Sequence, residues 1–314
     1  MRVRWAISLE ETMTSPSFQN TFRKAILCAS ESDVDQQKQF RFKEDALACL
    51  IGRLMPRKAA VNHTSKSWSS LEFVRNEKGK PSLVNSSNFE YNVSHHGDLV
   101  VLATGESRIG SSKTKMYRLE TENRVSGIDV MRVNEARRDT AAEQMDTLNR
   151  HFSEEEIESV KGGDKSEEKR WHAFYRIWCL KESILKATGV GLPDGLHNHT
   201  FQIDPNYDHK PGKEIPLYLY SIYHKVPLPG NTTTSSLYFH RSTPQPQWIF
   251  EESFIGEKHC VSVASEQQTS SEEHFTPFEM TSLEEILEDA DFINITADAD
   301  EELDVFMDKP NKPF

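Results

Sequence analysis

Apolar and polar positions divide the chain into two rounds of strand, long helix and hairpin, followed by a polar tail. In the first round, residues 5–9 read as a short strand. Ser32-x-x-Asp35 opens a long helical stretch with apolar positions at Phe40, Leu47, Leu50, Ile51 and Leu54, which Pro56 kinks or ends. Residues 71–74 are strand-like, and Lys78-Gly79-Lys80-Pro81 is a turn. The apolar runs 89–93 and 99–104 flank Ser94-His95-His96-Gly97-Asp98 and predict a hairpin, and residues 105–123 read as a polar insertion.

The second round opens with a strand at 125–130 that contains Gly127. Ser153-x-x-Glu156 is a capping box for a short helix that Gly162-Gly163 stops. Asp164-x-x-Glu167 opens a long helix ending at Gly189, and residues 200–203, 217–223, 237–240, 248–252 and 260–264 read as strands. Ser94-x-x-Gly97-Asp98 before one apolar strand is matched by Ser253-x-x-Gly256-Glu257 before another. These recurrences predict an α+β fold of two similar, pseudo-two-fold-related halves, each a small antiparallel sheet packed with a long helix. The predicted divisions are residues 1–124, 125–265 and an acidic extension, 266–314. A seam between two such halves is a natural ligand cleft.

Charge changes this picture in one respect. The net charge of −12 belongs to the extension, where residues 266–314 carry 15 carboxylates against two lysines; the remaining 265 residues hold 35 basic and 34 acidic side chains. A near-neutral body leaves polyphosphate binding open, and nothing suggests nucleic acid. In the extension, Ser282-x-x-Glu285 caps an amphipathic helix with Leu283, Ile286, Leu287 and Ala290 on one face, ahead of an expected disordered end. Such a tail packs on the body as a solubilising extension or competes with an acidic partner helix. Cys28, Cys49, Cys179 and Cys260 form no Cys-x-x-Cys pair, and no apolar run approaches the roughly 20 residues that span a bilayer. The expectation is a cytosolic protein outside the membrane.

Two acids stand out. Trp171, Tyr175, Trp178 and Leu185 form one helical stripe, Ala173, Ile177, Leu180 and Ile184 a second, and Glu182 falls inside the first. An ionised carboxylate there needs a cation or a proton. Lys186, four residues on, offers the simpler reading of a helical ion pair, worth about 0.2–0.5 kcal/mol. Asp129 shares a strand face with Gly127 and Met131, and Gly127 lets a backbone or a ligand approach that face. It is a functional acid or a strand-end carboxylate satisfied by backbone amides. Lys78-Gly79-Lys80 could hold a phosphate or be a solvated turn. His96, His197 and His199 read as satisfied histidines without a ligand role.

Taken in order, five segments resemble the 4′-phosphopantetheinyl transferase family in its monomeric, duplicated form. They are Gly52-Arg53-Leu54-Met55 with Arg57-Lys58; Arg75 with Lys78-Gly79-Lys80-Pro81; Asn92-Val93-Ser94-His95; Gly127-Ile128-Asp129-Val130-Met131; and Trp178 to Ala187 with Gly189-Val190-Gly191-Leu192. The resemblance covers about residues 1–265. It implies transfer of the phosphopantetheine of coenzyme A to a serine of apo acyl or peptidyl carrier domains, of the fatty acid synthase or aminoadipate-semialdehyde dehydrogenase type, releasing adenosine 3′,5′-bisphosphate. It places the chain in lysine and fatty acid metabolism.

By the same resemblance Asp129 and Glu182 hold Mg²⁺, and Asp129, Glu182 and Lys186 are catalytic. Arg75, Asn76, Lys78, Gly79, Lys80, Asn92, Val93, Ser94, His95 and Lys186 bind coenzyme A, with His95 at the ribose 3′-phosphate. Two departures bear on the site. Met131 stands where many bacterial relatives have a second acid, so a water would replace that ligand, and Gln36 stands where an arginine is expected, with Lys38 as a substitute cation. The rival readings are a non-catalytic coenzyme A or acyl-carrier binding protein that kept the fold, and an acetyltransferase that needs no Mg²⁺.

Overall fold

The computed structural model describes residues 2–75, 80–86, 89–106, 126–133, 137–203, 235–266 and 276–312. In chain order the first part holds β1 (Arg4–Ser8), α1 (Leu9–Thr14), α2 (Phe18–Cys28), α3 (Glu31–Lys38), α4 (Lys43–Thr64), β2 (Phe73–Arg75), β3 (Pro81–Leu83), β4 (Phe89–His96) and β5 (Leu99–Glu106). There follow β6 (Ser126–Arg132), α5 (Ala141–Thr147), α6 (Glu154–Lys161), α7 (Glu167–Thr188), β7 (His199–Gln202), β8 (Leu237–His240), β9 (Thr243–Pro244), β10 (Trp248–Ile255) and β11 (His259–Glu266). The tail adds β12 (Glu279–Met280), α8 (Leu283–Leu287) and α9 (Ala299–Met307). The predicted strand at 217–223 and the body of the polar insertion lie outside the described residues.

One sheet runs β12-β1-β5-β4 and a second β10-β11-β6, so in each a hairpin's second strand sits between its partner and the strand that opened the round. Both hairpins turn at a glycine with left-handed backbone, Gly97 at φ 61° and Gly256 at φ 60°. That conformation is strained for residues with a Cβ. Alternation along the strands decides the layers. Leu99, Val101 and Ala103 pack with Ile128, Val130, Val261 and Val263 in a core shared by the two sheets. Val100 and Leu102 of β5 instead join Leu47, Leu50, Ile51 and Leu54 of α4, while Leu180 and Ile184 of α7 pack with Phe250 and Ala264.

Several sequence expectations are corrected at helix boundaries. The stretch opened by Ser32 is two helices: the Ser30 hydroxyl caps α3, accepting from the backbone N–H of Asp33. Pro56 does not end α4, which continues eight residues further to Thr64. The cap of α7 is Ser166, not Asp164, and Gly189 closes it in the left-handed region at φ 65°. Where a disordered end was expected beyond the first tail helix, the chain forms α9, and Leu283, Ile286, Leu303 and Phe306 join the core around Phe18 and Phe22. Residues 276–312 thus pack on the first sheet and its helices. No described helix is long and apolar enough to cross a membrane.

Candidate active site

β4 and β6 come from different sheets and run side by side. Asn92 Oδ1 accepts from the backbone N–H of Ile128 at 3.0 Å, and His96 Nδ1 accepts from that of Arg132 at 3.0 Å. The equal spacing on both strands makes them parallel. Alternate β4 side chains therefore bridge to β6 where a backbone ladder would otherwise run. Between these two bridges lies Ser94, whose hydroxyl donates to Asp129 Oδ1 at 2.8 Å.

Helix α7 completes the cluster because Gly127 lets it in. A Cβ at Gly127 would sit 2.0 Å from the carbonyl oxygen of Ser183 and 2.3 Å from the amide nitrogen of Ala187, so the helix backbone rests directly on β6. Two residues along that face, Asp129 accepts from Lys186 Nζ at 2.7 Å, and Lys186 also donates to Ser94 Oγ at 2.9 Å. The close approach anticipated at Gly127 is thus that of α7.

The charges do not cancel. Among the described residues, Asp129 Oδ2 is buried without a hydrogen-bond partner. Glu182 is half-buried, and its carboxyl pKa is raised, first by loss of hydration and then by the charge of Asp129, with Lys186 opposing. Among the described residues, the two carboxylates therefore share the ammonium of Lys186. Lys186 pairs with Asp129 across the seam, which goes beyond the helical Glu182–Lys186 pair that local spacing suggested. An orphaned oxygen beside a second acid suits a hard divalent cation, which takes oxygen ligands and keeps several waters. Met131 packs against the aromatic core under α7, which fits its lack of any ligand role.

The nucleotide-side candidates are placed unevenly. Asn76, Lys78 and Gly79 lie outside the described residues. Arg75 ends β2 and is exposed, and Lys80 Nζ reaches Glu90 Oε2 at 3.5 Å and the carbonyl of Ala187 at 3.4 Å, so it borders α7. Asn92 is buried and spends its carbonyl oxygen on β6, a structural contact. Val93 faces α4, 3.5 Å from where a Cβ on Gly52 would stand. His95 is exposed, yet its crowded surroundings and then Lys186 hold its pKa down. Lys38, the substitute cation, is engaged by Glu302 at 2.5 Å and Asp35 at 3.6 Å, and Gln36 accepts from Arg53 at 2.5 Å.

Sequence reasoning missed what braces α7. Lys181, the neighbour of Glu182, is fully buried, pairs with Glu156 at 2.8 Å and donates to the carbonyls of Leu196 at 3.0 Å and His199 at 2.5 Å. Burial lowers the lysine pKa and raises that of Glu156, each opposed by the other's charge. One turn earlier, Arg176 holds Glu252 through bonds of 2.8 and 3.2 Å. The available signal was Lys181 sitting beside the apolar stripe, but its partner, 25 residues upstream, lies on another helix.

The chain is similar to known proteins over both sheets. A family model described as 4′-phosphopantetheinyl transferase, N-terminal, matches residues 15–107, and one for the 4′-phosphopantetheinyl transferase superfamily matches residues 126–264. The L-aminoadipate-semialdehyde dehydrogenase-phosphopantetheinyl transferase of Homo sapiens is 31% identical over 280 residues, covering 88% of this chain and 78% of that protein. That of Xenopus laevis is 28% identical over 267 residues, 83% of this chain and 75% of the relative. The 4′-phosphopantetheinyl transferase Sfp of Bacillus subtilis is 26% identical over 206 residues, 65% and 79% of the two chains. With the Ser94–Asp129–Lys186 junction formed between the two matched regions, the chain belongs to the 4′-phosphopantetheinyl transferase superfamily.

Proposed function

We infer that this protein transfers the 4′-phosphopantetheine group of coenzyme A to a serine of apo carrier domains, releasing adenosine 3′,5′-bisphosphate. The observation that carries the reading is a pair of acids that share Lys186: Asp129, whose Oδ2 is buried without a partner among the described residues, and Glu182, whose pKa is raised first by loss of hydration and then by Asp129. A protein that only bound coenzyme A would gain nothing from this cost, so the non-catalytic reading is not favoured. The shared strand order of the two sheets supports duplication, with the site at the join of the halves.

Asp129 and Glu182 are the residues that would hold Mg²⁺. When bound, Mg²⁺ supplies electrostatic stabilisation to the diphosphate oxygens. The chain's own groups do the rest. Lys186, oriented by Ser94 and Asp129, offers its ammonium to the diphosphate and offsets charge on the leaving phosphate. His95, Arg75 and Lys80 border the nucleotide side, with His95 at the ribose 3′-phosphate. Glu182 accepts the carrier serine's proton through an intervening water, while the serine oxygen bonds to the β-phosphorus and the diphosphate bridge breaks. A raised pKa brings this base nearer to neutral pH, where general-base catalysis is most effective. The carriers are apo acyl or peptidyl carrier domains.

The test is mass spectrometry of an apo carrier protein incubated with enzyme, coenzyme A and Mg²⁺. The carrier is expected to gain the phosphopantetheine mass, and excess EDTA to abolish the gain. An unchanged carrier mass, or transfer indifferent to EDTA, overturns the reading.

A further inference from the structure

Behind α7, away from the acids just described, Asp194, His199 and His240 converge. His199 Nε2 lies 2.8 Å and His240 Nε2 3.1 Å from the same oxygen, Asp194 Oδ2. All three potential ligand atoms lie within 4.8 Å of one another, and among the described residues this is the one such group of three. We propose that Asp194, His199 and His240 form a binding site for a divalent transition-metal ion of the zinc class, separate from the Asp129 and Glu182 acids.

Two imidazoles and one carboxylate are a nitrogen-rich donor set that suits zinc and not magnesium, which prefers oxygen. In a tetrahedral zinc site, bonds of about 2.0–2.2 Å put ligand atoms about 3.3 Å apart. The two nitrogens therefore need to recede from Oδ2 by only a few tenths of an ångström, and more for His199 than for His240. His240 and Asp194 reach the surface, with side-chain exposures of 36% and 18%, whereas His199 is almost fully buried. An ion can thus enter from the solvent side, where a water would fill the fourth position.

The surroundings resemble the outer support of a metal centre. His199 Nδ1 meets the Tyr238 hydroxyl at 2.7 Å, which fixes the ring with Nε2 turned inward. Arg241 donates to Asp194 Oδ1 at 3.0 Å, which leaves Oδ2 for the ion. Arg241 and Ser242 both take left-handed backbone, φ 49° and 64°, in the turn that presents His240. The carbonyl of His199 accepts from Lys181, adjacent to Glu182, so an ion here would stiffen the support of α7 from behind.

The rival arrangement is a metal-free network in which both rings donate Nε2–H to Asp194 and the Tyr238 hydroxyl donates to His199. A titration separates the two. The metal-stripped full-length chain is titrated with zinc chloride against a chromophoric chelator, alongside His240→Gln, Asp194→Asn and Glu182→Gln. One tight equivalent is expected, with affinity reduced about 100-fold or more by His240→Gln and Asp194→Asn and unchanged by Glu182→Gln. Zinc is also expected to raise the thermal midpoint of the parent chain and not that of His240→Gln. His240→Gln is the primary variant because its half-buried hairpin position spares the core. Zinc affinity that survives His240→Gln, or disappears with Glu182→Gln, overturns the proposal, as does the lack of any tight equivalent.

Discussion

Arg4 and Glu251 meet through bonds of 2.7 and 2.5 Å where β1 approaches β10, whereas Asp129 and Glu182 share a single lysine where β4 approaches β6. Both contacts tie one sheet to the other. In the first, one guanidinium meets one carboxylate in the paired geometry that satisfies both oxygens, with 7% and 6% of the side chains exposed. In the second, among the described residues, two carboxylates meet one lysine and a buried oxygen is left without a donor. A contact that serves only the fold can complete its own electrostatics. One that serves a ligand leaves that completion to the ligand, and the folded chain carries the strain meanwhile.

Four predictions test this contrast. The largest effect belongs to Glu182→Gln, expected to lower the transfer rate by about 10²–10⁴-fold with the far-UV circular dichroism unchanged. A rate within a few-fold of the parent would remove Glu182 from the chemistry. Next is Arg4→Met, which strands Glu251 as a buried charge and should cost about 3–5 kcal/mol in urea unfolding. Adding Glu251→Leu should recover most of that loss, and if it does not, the pair is not self-contained.

Gly127→Ala comes third. Its new methyl would meet the backbone of α7 at 2.0 Å, with no flexible side chain to yield. A loss of about 1–3 kcal/mol is expected. Because α7 must slide along β6, transfer per folded molecule should fall too; stability lost with full activity would separate the helix contact from the site. The smallest effect carries the most pointed sign. Glu182 has a folded-state pKa above its unfolded value, so its contribution is favourable at low pH and is lost as pH rises through the raised pKa. Metal-free Glu182→Gln should therefore unfold at slightly higher urea than the parent at pH 7, with the advantage shrinking toward pH 4. A destabilised variant at pH 7 would mean that Glu182 is structurally paired.

The candidate acids were legible because each broke a local rule: Asp129 inside a strand, Glu182 inside an aromatic stripe. Both hairpins and the two long helices were legible from spacing and caps, which are relations between residues a few positions apart. The misplaced caps at Ser30 and Ser166, and the helix end that Pro56 does not make, have local causes as well. Ser30 and Ser32 compete as caps for α3 and Asp164 and Ser166 for α7, and a proline inside a helix is outweighed when its neighbours are buried, as Leu54, Met55 and Ala59 are.

By itself the sequence determined the α7 stripe with Glu182 and Lys186 one turn apart, the Gly127–Asp129 strand face, and the matched hairpin turns at Gly97 and Gly256. Tertiary structure alone decided that Lys186 turns to Asp129 and Ser94, that Lys181 finds Glu156, that the acidic tail packs Phe306 against Phe22, and that His240 meets His199 across 41 residues. The reason is physical. Periodicity and capping are set within about one helical turn, whereas the partner of a buried charge or a ring is whichever group the packing of distant elements brings within reach.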